Sequence, residues 1–150
     1  MCDDSLVAVP AKELHYAVDL AAGGELREER GTVLVVPAEW TPEHLLLAAL
    51  IRCSVTSLRY HAERGGLVVG AASGKVHALV TRAEEEERYA ISQADVELDV
   101  EIEPPPEEEE LGELLAKAER DCFVGSSLTA SPRYHWTVNG RSADDRRNRL

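Results

Sequence analysis

The sequence has little basic charge, few aromatic side chains and no long apolar run. Sixteen Lys and Arg residues face 28 Asp and Glu residues, for a formal net charge of -12. Nucleic-acid binding needs concentrated cations against the phosphates, so this balance argues against a nucleic-acid partner. The longest apolar run, Leu45 to Ile51, is far shorter than the ~20 residues that cross a bilayer, so we expect no membrane partner either.

Signals for export and for metal binding are also missing. The N-terminus, MCDDSLVAVP, is acidic and lacks the basic and apolar regions of a signal peptide, so we expect a cytoplasmic protein. Its cysteines, Cys2, Cys53 and Cys122, are then expected to be buried bystanders, metal ligands or redox groups rather than cross-links. The five histidines have no metal-ligand spacing and no C-x-x-C occurs, so we expect neither a metal nor a cofactor.

A long helix is the clearest positive feature. Thr41 is a suitable N-cap, Pro42 suits the first turn, and Gly65-Gly66 ends the pattern. The first half is apolar nearly all round, which predicts burial on most sides. Helical spacing places one row of residues on a common face: Leu46, Leu50, Cys53, Ser57 and Tyr60.

Strand patterns lie on both sides of this helix. Residues 13–36 predict a hairpin with strands at 14–20 and 32–36, and two more strands are predicted at 68–82 and 89–102. The second of these has a strict period of two, apolar against acidic. A second helix begins near Glu107 with an apolar stripe that ends at Cys122, and residues 131–139 predict a last strand.

The predicted order is therefore β-β-α-β-β-α-β, an α+β fold in a single domain over residues 1–150, with a frayed tail from Arg141. An isolated hairpin is marginally stable, and an almost wholly apolar helix needs cover on more sides than one small sheet provides. Both features predict a homodimer in which each protomer lends its N-terminal hairpin to the other.

Two motifs together carry a resemblance to a known family. The first, P-E-x-L-L-L-A-A-L-x-x-C, runs from Pro42 to Cys53; the second, A-E-R-D-C-F-V-G-S-S-L, runs from Ala118 to Leu128 and places Cys122 69 residues after Cys53. The chain resembles the OsmC/Ohr family of osmotically induced and organic hydroperoxide resistance proteins. It resembles a divergent member, because Phe123 stands where many members have proline.

The resemblance implies an intertwined homodimeric α+β fold and thiol-dependent reduction of organic hydroperoxides by a dithiol. By that likeness Cys53 is the peroxidatic cysteine, Cys122 is the resolving cysteine, and Glu43 holds an arginine in the site. The arginine comes from the segment before the helix, where Arg27 and Arg30 are both candidates.

The residues themselves leave a second interpretation open. A thiolate on an apolar helix needs a nearby cation, because burial alone raises the pKa of a thiol. Without such activation, the chain would be a non-catalytic dimer that binds an apolar small molecule at its interface. Trp40, Tyr60, Phe123 and Trp136 are candidates to line such a pocket, although aromatic residues at these spacings are more often core.

Overall fold

The computed structural model describes residues 12–82, 84–85 and 87–144. Contacts divide the chain into two compact units, Met1–Trp40 and Thr41–Leu150. Cys2 and the last six residues of the predicted tail, 145–150, lie outside the described residues.

The N-terminal unit contains a three-stranded antiparallel sheet. Its strands are β1 (Val18–Leu20), β2 (Leu26–Glu28) and β3 (Val33–Leu34), in that order. Gly24 and Gly31 adopt positive φ angles of 91° and 95° at the two turns, a conformation that costs glycine little. Each glycine lets the chain reverse within a few residues, so two tight turns replace one long connection.

The predicted hairpin is wrong in its pairing, because the two predicted strands are separated by a third strand and do not pair with each other. The segment between its two strands was assigned to the connection, but Leu26–Glu28 forms a third strand that pairs with both neighbours. A three-residue strand is too short to show an alternating pattern, so β2 could not be predicted from its residues alone.

The C-terminal unit begins with the long helix α1, Pro42–Arg64. Its N-terminus is a capping box: the His44 amide donates to Thr41 Oγ1 at 3.4 Å, and the Thr41 amide donates to His44 Nδ1 at 3.0 Å. Gly65 and Gly66 follow the last turn. The predicted start and end of the helix are confirmed.

The buried row of α1 coincides with the predicted common face only in part. Leu50 and Ser57 of that face are buried, together with Ser54, Leu58 and Ala62, whereas Tyr60 is 56% exposed. The first half of the helix is apolar on nearly every side, so its sequence does not determine which side faces the sheet.

A four-stranded sheet forms the other layer, in the order β4 (Val68–Arg82), β5 (Tyr89–Glu103), β6 (Arg133–Val138) and β7 (Arg141–Ser142). The β4–β5 hairpin is antiparallel, and β6 lies parallel to β5. A parallel neighbour requires a crossover, which the segment between β5 and β6 supplies. The apolar residues of β5 at alternate positions are buried, as predicted.

The crossover carries two helices, α2 (Glu108–Arg120) and the short α3 (Phe123–Ser126). The buried apolar stripe of α2 consists of Leu111, Leu114, Leu115 and Ala118. The sequence predicted α2 but not α3, because four residues are too few to show helical periodicity.

The predicted frayed tail begins too early. Asn139 and Gly140 have positive φ angles of 51° and 80°, which form a tight turn between β6 and β7. Arg141–Ser142 pairs with β6, and Ala143 is buried. The Asn-Gly pair is a known hairpin signal, and it is the sequence feature that could have revealed β7.

Candidate functional site

The two cysteines lie beside each other in the C-terminal unit. Cys53 is half-buried on α1, and Cys122 is buried at the N-cap of α3; both are free thiols. Burial raises the pKa of Cys53, and its contact with the Cys122 thiol raises that pKa further. The backbone amides of Val124 and Phe123 act in the opposite direction, because they donate hydrogen bonds that favour the thiolate.

Cys122 is held by two hydrogen-bonding groups. Its sulfur accepts the backbone amide of Gly125 at 3.5 Å, and the hydroxyl oxygen of Ser54 lies 3.7 Å from the same sulfur. Ser54 directly follows Cys53 on α1. One turn of the helix therefore presents a thiol and a hydroxyl to Cys122.

A tyrosine completes this buried group. The hydroxyl oxygen of Tyr134, on β6, is 3.3 Å from Ser54 Oγ, and Ser54 also donates to the Leu50 carbonyl oxygen at 2.8 Å. Burial raises the pKa of Tyr134, the hydrogen bond that Ser54 donates lowers it, and the nearby Cys122 sulfur raises it further; the net effect is a raised pKa, so the Tyr134 hydroxyl keeps its proton at neutral pH. Sequence reasoning missed Ser54 and Tyr134 as site residues, because neither belongs to a recognisable motif.

Gly125 allows this close packing. A Cβ built on Gly125 would lie 3.0 Å from the Tyr134 hydroxyl, 3.4 Å from Cys122 Sγ and 3.5 Å from Leu50 Cδ1. The first distance is shorter than ordinary contacts. A side chain at this position would therefore displace the tyrosine or the thiol.

Polar contacts fix the end of α2, and hence Cys122, against α1. Ser57 Oγ donates to the Ala118 carbonyl oxygen at 2.8 Å. His61 Nε2 lies 2.8 Å from Asp121 Oδ2, and the Arg120 guanidinium binds both oxygens of the same carboxylate. These contacts hold the segment before Cys122 in one position.

Glu43 lies in the first turn of α1 and is exposed. Its own backbone amide and the Thr41 hydroxyl hydrogen-bond its carboxylate and lower its pKa. Among the described residues of the C-terminal unit, no arginine forms a salt bridge with it. Within this unit Glu43 is placed as an acidic residue at the N-terminus of a helix, where the helix dipole favours its charge. Its role in holding an arginine stays a prediction.

Both candidate arginines belong to the N-terminal unit. Arg27 lies on β2, where it contacts Glu25 at 3.4 Å, and Arg30 lies in the turn between β2 and β3. The backbone amide of Thr32, followed by that of Arg30, donates to the Glu28 carboxylate and lowers its pKa. The choice between these arginines stays open.

The aromatic residues do not form a common pocket in the C-terminal unit. Trp136 is 1% exposed, stacks on Tyr134 and donates to Glu119 Oε1 at 2.9 Å. Tyr60 and Phe123 are both more than half exposed. Trp136 is therefore a core residue.

Within residues 12–82, 84–85 and 87–144, no group of three or more His, Cys, Asp or Glu residues is placed to hold a metal ion. No helix in the part of the chain that the structure describes is long and apolar enough to cross a membrane.

Comparison with family models gives one match, to the OsmC-like proteins, over residues 37–137. This range covers most of the chain. The chain belongs to the OsmC-like family. The resemblance drawn from the two cysteine motifs is confirmed.

Solved structures show that the OsmC fold is shared. An OsmC-like protein of unknown function from Vibrio cholerae matches with a TM-score of 0.64 at 14% identity, over 84% of this chain and 99% of the other. An organic hydroperoxide resistance protein from Elizabethkingia anophelis matches with a TM-score of 0.58 at 15% identity, over 85% and 96%. One from Legionella pneumophila, also described as a predicted redox protein, gives 0.55 at 18%, over 85% and 98%. No curated protein matches the chain.

The OsmC-like match covers Glu43, Cys53 and Cys122. It begins at residue 37, after Arg27 and Arg30. The α+β fold predicted from the sequence is confirmed. Chemically, the arrangement pairs a partly accessible thiol with a buried second thiol. Such a pair suits sulfur oxidation followed by disulfide formation.

Proposed function

We propose that this OsmC-like protein is a thiol-dependent peroxidase that reduces organic hydroperoxides. The observation that supports the proposal most is the contact between Cys53 and Cys122, which lie 69 residues apart in the sequence. Cys53 is the more accessible thiol, and Cys122 is buried behind it. Fold neighbours named organic hydroperoxide resistance proteins support the same activity.

The first step is oxidation of Cys53. Its thiolate attacks the distal oxygen of the hydroperoxide; a sulfur–oxygen bond forms, the oxygen–oxygen bond breaks, and the alkoxide takes up a proton and leaves as an alcohol. The sulfur loses two electrons and the peroxide gains them. The product is a Cys53 sulfenic acid.

The second step is resolution by Cys122. Its sulfur attacks the Cys53 sulfenic sulfur, a disulfide forms, and the hydroxyl leaves with the thiol proton as water. An external dithiol then reduces the disulfide by exchange and becomes a disulfide itself. The reaction needs no metal and no cofactor.

Activation of Cys53 requires help beyond what its own unit supplies. Burial raises the pKa of this thiol, and among the described residues the groups that lower it are the backbone amides of Val124 and Phe123. We assign the missing positive charge to Arg30 or Arg27, with Glu43 orienting the guanidinium. A cation beside the sulfur would offset the burial and increase the thiolate fraction.

The active form in this proposal is a homodimer. Val18, Leu20 and Leu34 in the N-terminal sheet are all more than half exposed in the single chain. Exposed apolar side chains grouped on one small sheet mark an interaction surface, and a second copy of this chain would cover them.

The test is hydroperoxide consumption with a dithiol. The parent should consume cumene hydroperoxide with dihydrolipoamide, and Cys53→Ser should lose the activity. Cys2→Ser is the matched control and should retain it. Activity in Cys53→Ser would reject the proposal.

A second candidate function is binding of an apolar small molecule by a non-catalytic dimer. The raised pKa of Cys53 favours it, because a protonated thiol is a poor nucleophile. A parent that consumes no peroxide, and whose two cysteines form no disulfide on peroxide treatment, would favour this second function.

A further inference from the structure

A buried hydroxyl pair, Ser54 and Tyr134, lies next to Cys122: Ser54 Oγ is 3.7 Å from the Cys122 sulfur, and the Tyr134 hydroxyl oxygen is 3.3 Å from Ser54 Oγ. Both residues are buried, and they come from different elements, α1 and β6. No step of the reaction described above uses them. Their position next to the second thiol suggests a task in resolution.

Cys122 has to act as a nucleophile although it is completely buried. A buried thiolate is costly unless hydrogen-bond donors replace the water that it has lost. The Gly125 amide is one such donor, at 3.5 Å. A single long hydrogen bond is little compensation for a full negative charge.

The Ser54 hydroxyl is placed to be the second donor. Its oxygen lies 3.7 Å from Cys122 Sγ, while its proton is directed at the Leu50 carbonyl oxygen at 2.8 Å. That carbonyl lies within the helix and also faces the amide four residues later, so it can release the hydroxyl. A rotation about one bond then turns the proton towards the sulfur.

Tyr134 supports this rotation. Its hydroxyl keeps its proton, because burial and the neighbouring Cys122 raise its pKa, and its oxygen is 3.3 Å from Ser54 Oγ. When Ser54 turns its proton to the sulfur, its oxygen is free to accept from Tyr134. The charge on the sulfur is thereby spread over two hydroxyl groups.

The other titratable groups near Cys122 have roles or partners of their own. Cys53 is the thiol with which Cys122 reacts, and the Glu119 carboxylate accepts a hydrogen bond from Trp136. Asp121 binds His61 and Arg120.

We propose that Ser54 and Tyr134 are positioning residues for resolution: Ser54 donates a hydrogen bond to the Cys122 thiolate as it attacks the Cys53 sulfenic acid, and Tyr134 donates to Ser54. The proposal rests on the peroxidase function. The proton that Cys122 gives up on forming the thiolate is taken up by the departing sulfenic hydroxide, which leaves as water, so the step needs no further reactant.

The first test is a thiolate titration that needs no peroxide. In a chain in which Cys122 is the only cysteine (Cys2→Ser with Cys53→Ser), the ultraviolet absorbance of the thiolate is followed against pH, with the cysteine-free chain as blank. Ser54→Ala should raise the Cys122 pKa by about one unit, and Tyr134→Phe should raise it by less.

Two controls match these changes. Thr56→Ala removes a hydroxyl that donates to the Arg52 carbonyl oxygen at 2.8 Å on the exposed side of the same helix. Tyr60→Phe removes an exposed tyrosine hydroxyl. Both should leave the Cys122 titration as in the parent. Thermal melts identify any variant that fails to fold, and Tyr134→Phe, which removes one oxygen atom only, keeps the test valid if Ser54→Ala unfolds.

The second test follows the two steps in the chain with all three cysteines. One equivalent of hydroperoxide is added with dimedone, which traps sulfenic acid, and mass spectrometry gives the ratio of Cys53–Cys122 disulfide to trapped Cys53. Ser54→Ala should lower this ratio about tenfold, the size expected for one hydrogen bond to a charged group. Thr56→Ala should not lower it.

The outcomes separate the two proposals. If titration and ratio both match the parent in Ser54→Ala and Tyr134→Phe, the positioning role is wrong, whatever the parent's activity. If peroxide fails to oxidise Cys53 in the parent, the peroxidase proposal fails, and the positioning role in resolution fails with it, even where the titration shows that the hydroxyls stabilise the thiolate.

Discussion

His61 Nε2 lies 2.8 Å from Asp121 Oδ2, so the last turn of α1 is joined to the residue that precedes Cys122. The same carboxylate binds the Arg120 guanidinium. Hydrogen bonds from Arg120, and then from His61, lower the Asp121 pKa from its ordinary 3.8 to about 2. The position of the second thiol therefore depends on an ionised carboxylate.

Asp121 should make stability depend on acidity. A carboxyl group with a lowered pKa in the folded state stabilises the fold fully above about pH 4, and this contribution is lost as the pH falls through about 2. Asp121→Asn should melt at a lower temperature than the parent at pH 7, and this difference in melting temperature should disappear as the pH approaches 2. Circular dichroism melts across this range measure it, with the exposed Asp99→Asn as control; a constant gap would contradict the prediction.

Loss of the resolving thiol should expose Cys53 to further oxidation. Cys122→Ser should complete one turnover, because the Cys53 sulfenic acid still forms, and then accumulate sulfinic and sulfonic acid at Cys53. Intact-mass spectrometry after excess hydroperoxide detects these products. Sustained turnover of Cys122→Ser with a dithiol would show that the reductant attacks the sulfenic acid directly.

An arginine should control the acidity of Cys53. If Arg30 supplies the positive charge, Arg30→Ala should raise the Cys53 pKa by about one unit or more and slow its alkylation at neutral pH, with partial recovery at alkaline pH. Arg27→Ala tests the alternative, and Glu43→Gln should have a smaller effect of the same sign. Arg52→Ala is the control, because this exposed arginine adjoins Cys53 in the sequence only. If the alkylation rate of Cys53 depends on pH in the same way in every variant as in the parent, the result favours the ligand-binding function.

Two glycines offer a matched test of the packing around Cys122. Gly125→Ala should destabilise the protein by about 1–3 kcal/mol and slow disulfide formation, because the new methyl group meets the Tyr134 hydroxyl. Gly112→Ala, in α2 with nothing near its built Cβ, should stabilise by about 0.5–1 kcal/mol. Denaturant unfolding measures both. The prediction fails if both substitutions stabilise.

The homodimer should be inseparable from folding. Since the N-terminal sheet exposes apolar side chains in the single chain, folded monomers should be absent at micromolar concentration, and the melting temperature should rise with protein concentration. Sedimentation equilibrium and melts at several concentrations test this. A folded monomer with a concentration-independent melt would refute it.

Much of the fold followed from local signals. Thr41, Pro42 and Gly65 fixed the ends of α1, and the period of two along residues 89–102 identified β5, because caps and alternation depend only on neighbouring residues. The segments that were missed, β2, α3 and β7, contain two to four residues each and form only with a partner or beside a turn. Short elements carry no period of their own.

The sequence by itself determined the order of the longer elements, the α+β class and the two cysteine motifs by which the family was recognised. Only the tertiary structure decided which side chains surround those cysteines. Ser54 and Tyr134 are 80 residues apart and belong to different elements, and they meet because β6 lies parallel to β5 and places Tyr134 against α1. Which side of α1 faces inward was likewise set by packing, since a helix that is apolar nearly all round can bury any of its sides.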